Sequence, residues 1–361
     1  MLLSLLVAAA WAPAAHGQAI RGGVFEDVNY GGGAGRDSTA ANGVARSNAR
    51  VELYSAAGAF TSTVTTGAAG DFAFTGLAAG TYFVRVVDGS VSSSRAGYVA
   101  GTHLAVQTFR TDASSGTAVA VTDYVGGTNP TVADPGNGGA GTTFNPATFV
   151  FTAGLVGTAQ SVANVVLGAG DVVHVDFGFN FNTIVNANDT GQGSLRQFLT
   201  NANGLSNAGL AIVGQSAGID ASIFMISDGA VHPGQRAGLP NQLTAGTAVI
   251  TPTTALPVIT GAQTSLDGTT QTANIGNTNA AVLGVGGTVG VGALALSQVA
   301  GPEVAIRDTG SLVTGVDINA NSVTVRGLAI YGFGTAAPDG GVLVRAGVSG
   351  ALIERNVIGT T

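Results

Sequence analysis

The chain has 361 residues, of which 45% are hydrophobic, 9% charged and 6% aromatic, with 57 glycines and no cysteine. All 13 cations are arginine and the formal net charge is −7, so the clustered basic footprint that nucleic acid requires is missing. The lack of cysteine excludes disulfides, thiolate metal sites and thiol nucleophiles together, and glycine this abundant without a G-X-Y period excludes collagen.

Residues 1–19 read as a secretory signal. Leu2 to Trp11 form an apolar run too short to span a bilayer. A small-x-small site follows at Ala15-His16-Gly17 before Gln18, or at Gly17-Gln18-Ala19 before Ile20. The usual positive start is missing, and no later stretch is long and apolar enough for a membrane helix. The expectation is an exported bacterial protein, secreted or on the cell surface, with no membrane span in this chain.

From Gly22 to Val87 short alternating strands are separated by glycine-rich turns. Val51 and Leu53 alternate with Arg50, Glu52 and Tyr54; Phe72 and Phe74 follow the turn at 67–71; Tyr82, Val84 and Val86 alternate with Phe83, Arg85 and Val87. Strands at this spacing predict an antiparallel sandwich. The run T65-TGAAGDFAFTGLAAGTYFVRV-V86, with G23-VFEDVN-N29 and A49-RVELY-Y54 before it, resembles the Cna-B-like (SdrD B-like) repeat of bacterial surface proteins. It carries that family's pattern at Asp71, Phe72, Phe74, Leu77, Gly80 and Tyr82. The resemblance implies a prealbumin-like sandwich that serves as a stalk or spacer and is not catalytic.

Two departures follow. Many related repeats carry a Lys–Asn isopeptide crosslink, which a chain without lysine cannot form. Some bind calcium near their first strand, and Asp27, Asn29 and Asp37, with Glu26 adjacent, stand at the matching place. Calcium takes six to eight oxygens, usually from closely spaced carboxylates. The same residues also read as plain turn formers that tolerate positive φ.

Residues 88–180 are expected to extend the sandwich, giving a domain over 20–182. Strands are predicted at Ala118–Tyr124 and Val172–Phe179, with Gly126–Gly141 as a long mobile loop.

Past Phe181 the character changes. Ser194 is a plausible N-cap, and Leu195, Phe198 and Leu199 share one helical face, with Arg196 and Gln197 turned away. Beyond this helix, short apolar segments recur at 223–226, 282–283, 304–306, 323–325, 342–344 and 352–353, separated by turn residues. Short strands without hairpin signals predict a solenoid. The segment V323-TVRGLAIYG-G332 echoes A351-LIERNVIGT-T360 at an offset of 28, aligning Val325 with Ile353 and Ile330 with Ile358.

The ordered pieces V185-NANDTGQGSLRQ-Q197, A255-LPVIT-T260, L266-DGTTQ-Q271, V325-RGL-L328 and E354-RNVIGT-T360 resemble exported bacterial proteins with a right-handed parallel β-helix. The resemblance implies that fold over 183–361, with L266-DGTTQ-Q271 as a turn. An open first rung would expose strand edges and core to water, so the helix at 194–203 is expected to cap the N-terminal end. Because the sequence stops inside a rung, more coils are expected beyond residue 361.

Catalytic signals are sparse. The acids of this half, among them Asp189, Asp220, Asp228, Asp267, Glu303, Asp308, Asp317, Asp339 and Glu354, are scattered and flanked by turn residues. Asp267 reads as a turn acid accepting backbone N–H groups. Arg307, Asp308 and Arg326 near Asp317 form the one lyase-like grouping, set against a surface ion pair. His103, His174 and His232 have no metal spacing, and G284-VGGTVGVG-G292 has neither the strand–turn–helix context nor the lysine of a phosphate loop. The overall expectation is an all-β surface protein with no catalytic residues and no cofactor other than the calcium candidate. It would have adhesin-like function, with a sandwich as spacer and a β-helix as passenger binding a surface or glycan. The alternative is a carbohydrate-active β-helix enzyme, a lyase or hydrolase, whose site lies beyond residue 361.

Overall fold

The computed structural model describes residues 17–334 and 340–359. The signal-like segment up to residue 16 lies outside the described residues. The architecture is all-β, with two α-helices among the described residues.

The first half contains β1 (Gln18–Glu26), β2 (Val44–Ala45), β3 (Arg50–Ser55), β4 (Phe60–Thr65), β5 (Asp71–Leu77) and β6 (Gly80–Val86). It continues with β7 (Val106–Asp112), β8 (Val119–Val121), β9 (Thr143–Phe144), β10 (Phe151–Ala153), β11 (Ser161–Leu167) and β12 (Phe177–Asn180). One sheet runs β2-β1-β12-β7-β8, with β5 also on β1; the other runs β11-β6-β3-β4. Their inner faces meet in a shared core of Ile20, Val24, Val51, Leu53, Phe72, Phe74, Val84, Val86, Val165, Phe177 and Phe179. This is the sandwich that the alternation predicted, except that it is not wholly antiparallel: β1 pairs β12 in parallel, with Val24 beside Phe177. Strand β8 lies inside the expected segment 118–124. The strand expected over 172–179 is broken: Val172 bridges Ile20, His174 takes φ 64°, and regular pairing resumes at Phe177.

The alternation on β3 and β6 does not leave a wet face, because both sides are covered. Val51 and Leu53 enter the core, while Glu52 and Tyr54 are equally buried. On the outer side Tyr54, Phe83, Phe144 and Phe151 pack together, with ring centroids of Tyr54 and Phe144 at 4.7 Å. The segment expected as a mobile loop is thus fastened down. Arg85 pairs with Asp134 at 2.8 Å and donates to Pro135 O at 2.6 Å.

The second half contains β13 (Thr183–Ile184), α1 (Leu195–Gly204), β14 (Asp220–Ala221), β15 (Ile223–Phe224), β16 (Ala248–Ile250), β17 (Thr264–Asp267) and α2 (Thr269–Ile275). Then come β18 (Val282–Leu283), β19 (Thr288–Val289), β20 (Leu294–Ala295) and β21 (Val299–Ala300). The last group is β22 (Val304–Arg307), β23 (Thr314–Ile318), β24 (Thr324–Arg326), β25 (Leu328–Tyr331), β26 (Gly340–Val344), β27 (Leu352–Glu354) and β28 (Val357–Ile358).

Most of these strands pair in parallel. One ladder is β14-β17-β24-β27, a second β16-β22-β25-β28, and a third β23-β26, preceded by a parallel bridge from Ile259 to Ile318. From β16 onward the chain visits second, third and first ladder in the same order each time, as parallel neighbours require a crossover between them. The sequence echo is realised residue for residue, with Val325 beside Ile353 and Ile330 beside Ile358. Inward residues of all three ladders, Leu266, Val325, Ile306, Leu328, Ile330, Val316 and Ile318, belong to one continuous apolar cluster.

Helix α1 forms where expected. The Ser194 side chain accepts from Gln197 N, and Leu195, Phe198 and Leu199 are buried against Ile184, Phe224 and Ile226 of the same cluster.

Two expectations of this half are corrected. Val282-Leu283 is no rung: β18 folds back antiparallel on β21, and β19 on β20. Gly284, Gly286, Gly287 and Gly290 take the positive φ that lets this ribbon turn. Residues 269–275 are the helix α2 and not a turn. Its polar sequence hides it, since the face it uses is Thr270, Gln271 and Asn274.

Candidate functional site

The densest polar constellation lies at the joint between sandwich and ladders. Arg95, on the Ser/Gly-rich loop after β6, reaches across it. Its guanidinium donates to Asn182 Oδ1 at 2.9 Å and Ser206 O at 2.8 Å, and pairs with the carboxylate of Asp220. Asn182 in turn donates to Asp220 Oδ1 at 2.6 Å. All three side chains are buried. Burial pushes the Asp220 carboxyl up, opposed by Arg95 and Asn182. An ion pair so enclosed contributes little net stability, but it fixes geometry because neither partner has an alternative.

Helix α1 belongs to the same joint. Its apolar face covers the ladder cluster, while its polar face grips the sandwich side. Asn201 donates to Leu104 O at 2.9 Å and Phe181 O at 2.7 Å, and Gln197 donates to Thr102 O at 2.8 Å. Arg196 is also engaged, paired with Asp189 at 2.6 Å and donating to Thr254 O and Ala255 O. Hydrogen bonds from Thr253 and Arg196 outweigh desolvation and hold the Asp189 carboxyl below its usual range.

A second buried cluster lies beside it. Gln192, from the turn before α1, donates to Asp88 Oδ2 at 2.8 Å and accepts from Asp134 N at 2.8 Å. Asp134 also pairs with Arg85, which pairs with Glu52 at 2.8 Å; Arg50 joins Glu52 at 2.9 Å. Desolvation first, then the nearby Asp134 charge, pushes the Asp88 carboxyl well above its ordinary value.

The calcium candidates each have a partner of their own. Asp27 is fully buried and held by both ends of the Arg36 guanidinium. Burial raises its pKa, with Arg36 opposing. Asn29 Oδ1 accepts from Ala211 N at 2.6 Å, tying the first-strand loop to the second half. Asp37 Oδ1 closes a turn, accepting from Thr39 N and Ala40 N. Among the described residues no group of three acids or histidines could hold a metal.

The other acids behave largely as turn residues. Asp267 Oδ1 accepts from Thr269 N at 3.0 Å, and its Oδ2 pairs with Arg326 at 2.6 Å. Asp308 accepts from Gly310 N and Leu312 N, and Asp317 is bound by Nε and Nη2 of Arg345. Arg326 therefore lies beside Asp267 and Glu354, not with Asp308 and Asp317. A cleft of about 560 Å³ lined by Thr269, Thr272, Leu283, Val299, Glu303 and Asn356 lies beside the β18–β21 ribbon. Its one carboxylate, Glu303, is buried and accepts from Thr278 N and Asn279 N. His232 bonds Asp228, and His103 Nδ1 accepts from Val99 N.

Sequence reasoning did not find Arg95, Asn182, Gln192, Asp88 or Asp134. The one available signal was Arg95 itself, a lone cation in S92-SSRAG-G97.

No helix among the described residues is long and apolar enough to cross a membrane. No curated protein matches the chain. The family model of the SdrD B-like domain matches residues 18–136. Domains of this kind are typical of adhesin-like cell-surface proteins, in which they act as spacers. The match stops short of β11 and β12, which complete both sheets, so the sandwich here is built from more chain than the matched segment.

Proposed function

We propose that this is an exported, adhesin-like surface protein in which a spacer sandwich (20–182) is locked to a right-handed parallel β-helix (183–361) that presents loops to a surface or glycan. The observation that carries the reading is the SdrD B-like match at residues 18–136. The three parallel ladders visited in cyclic order around one apolar cluster support the β-helix, and α1 over Ile184, Phe224 and Ile226 supports its role as the lid of the first coil. The joint supports a mechanical role, since a spacer transmits position only if it is stiff at its connections. Strand β1 begins at Gln18, and Ala19 N donates to Asp171 Oδ1 at 2.8 Å. This favours signal cleavage before Gln18 over cleavage before Ile20, which would remove two residues of the strand.

No step in this reading needs a cofactor. A calcium ion at Asp27, Asn29 and Asp37 would first have to displace Arg36. The test is a glycan-binding array run beside a polysaccharide-degradation screen. Binding without release of reducing or unsaturated ends is expected. Degradation that is lost when neighbouring ladder carboxylates are changed would replace the adhesin by the enzyme.

A further inference from the structure

The ribbon β18–β21 stands out from the ladders. Among the described residues its strands pair only with each other, so both of its edges carry backbone groups without a ladder partner there. A two-stranded ribbon alone is marginally stable in water. Natural edges are usually protected by charge, proline or a bulge. Here no charged residue stands between Asp267 and Glu303, and Val285, Val291 and Leu294 are 90%, 111% and 70% exposed.

The two arms differ. The arm holding β18 and β19 is interrupted by Gly284, Gly286, Gly287 and Gly290, which weaken a strand. The arm Ala293–Ala300 has no glycine and presents Leu294, Leu296 and Val299 outward. What pairs with it must offer a free, apolar and uncharged strand edge. The ribbon of a second copy meets each requirement. The protein's charge is net −7 and lies entirely outside residues 268–302, so two copies approach here with the least like-charge repulsion.

We propose that the Ala293–Ala300 arm pairs antiparallel with the same arm of a second copy, making a four-stranded sheet about a two-fold axis. A self-complementary strand edge is a natural isologous contact. The inference goes beyond the spacer reading and stands or falls without it.

Sedimentation velocity of the full chain tests it. A dimer with Kd of about 100 µM or tighter is expected. The exposed double change Leu294→Glu with Leu296→Glu should weaken it about tenfold or more, since with Ser297 opposite its own copy the two Glu side chains at 296 become diagonal neighbours on one face of the new ladder and all four carboxylates replace apolar cover. Its thermal melt should match the parent, which separates lost pairing from lost folding. Ser297→Cys, the sole thiol in a chain that has none, should crosslink two copies under mild oxidation. A chain that stays monomeric, or a dimer that persists in the double variant through Ile353 and Ile358 of the last strands, would overturn the proposal. So would a monomer that floats with zwitterionic phosphatidylcholine vesicles in a Leu294-dependent way, which would name a lipid surface instead.

Discussion

The side-chain amide of Gln271 treats Ile226 as a neighbouring strand would: it accepts from Ile226 N at 2.9 Å and donates to Ile226 O at 2.6 Å. Thr270 and Asn274 do the same for Phe224 N and O. Helix α2 thereby closes the edge beyond β15 with side chains. Gln271 is fully buried, so Gln271→Ala leaves both Ile226 groups unpaired in a dry site. The expected loss is about 2–6 kcal/mol, at 1–3 per stranded group, read by urea denaturation. Gln271→Glu should cost a similar amount because a carboxylate cannot donate to Ile226 O.

Phe198 is the centre of the apolar face of α1, buried among Leu195, Leu199 and the ladder residues. Phe198→Ala should destabilise by about 3–5 kcal/mol through cavity formation. Phe198→Leu, which keeps most of the volume, should cost under about 1.5 kcal/mol. Equal, small effects from both changes would show that Phe198 is not packed.

Arg95→Ala strands Asp220 and Asn182 inside the joint, and the expected cost is about 3–5 kcal/mol. Calorimetry gives a sharper readout than the total. A single transition in the parent should separate into two as sandwich and ladders uncouple. Replacing the pair together, Arg95→Met with Asp220→Leu, should recover most of the stability, because no lone charge then remains.

Asp88 predicts a pH dependence. Its folded pKa is raised above the ordinary 3.8, so the folded state holds the proton more tightly than the unfolded chain. Its contribution is fully present below about pH 3.8 and is lost as pH rises toward the folded value. The groups facing it are Asp134, Arg85, Gln192 and Ser161, with Glu52 and Arg50 behind Arg85. Asp88 Oδ1 and Ser161 Oγ are both buried, and the Ser161 hydroxyl, a donor, opposes the upward shift together with Gln192 and Arg85. Asp88→Asn should flatten this part of the profile and leave the variant relatively more stable than the parent at neutral and alkaline pH. Parallel profiles for parent and variant would refute it.

The β-rich fold and much of its register were readable because apolar side chains in strands report which face is buried. Val325 opposite Ile353 and Ile330 opposite Ile358 follow from an offset visible in the letters alone. What escaped was set by polar contacts between distant segments. Thr270, Gln271 and Asn274 give no periodic signal, since their partners are backbone groups some 45 to 50 positions away. Asp134 looked like a loop residue because Arg85, which buries it, is 49 positions earlier. Val282-Leu283 passed for a rung because a hairpin arm and a ladder strand have the same composition.

Three side-chain contacts between successive passes of the chain, Arg345 to Asp317, Ser349 to Asn321 and Leu328 to Asn356, all span 28 positions. Each pass advances the stack by one inter-strand spacing, about 4.8 Å. A tandem duplication of 28 codons in this region would therefore copy every one of those contacts intact and lengthen the reach of the molecule by that increment. Variation in the length of the stacked ladders can then arise by unequal recombination alone, with no new interior to be evolved.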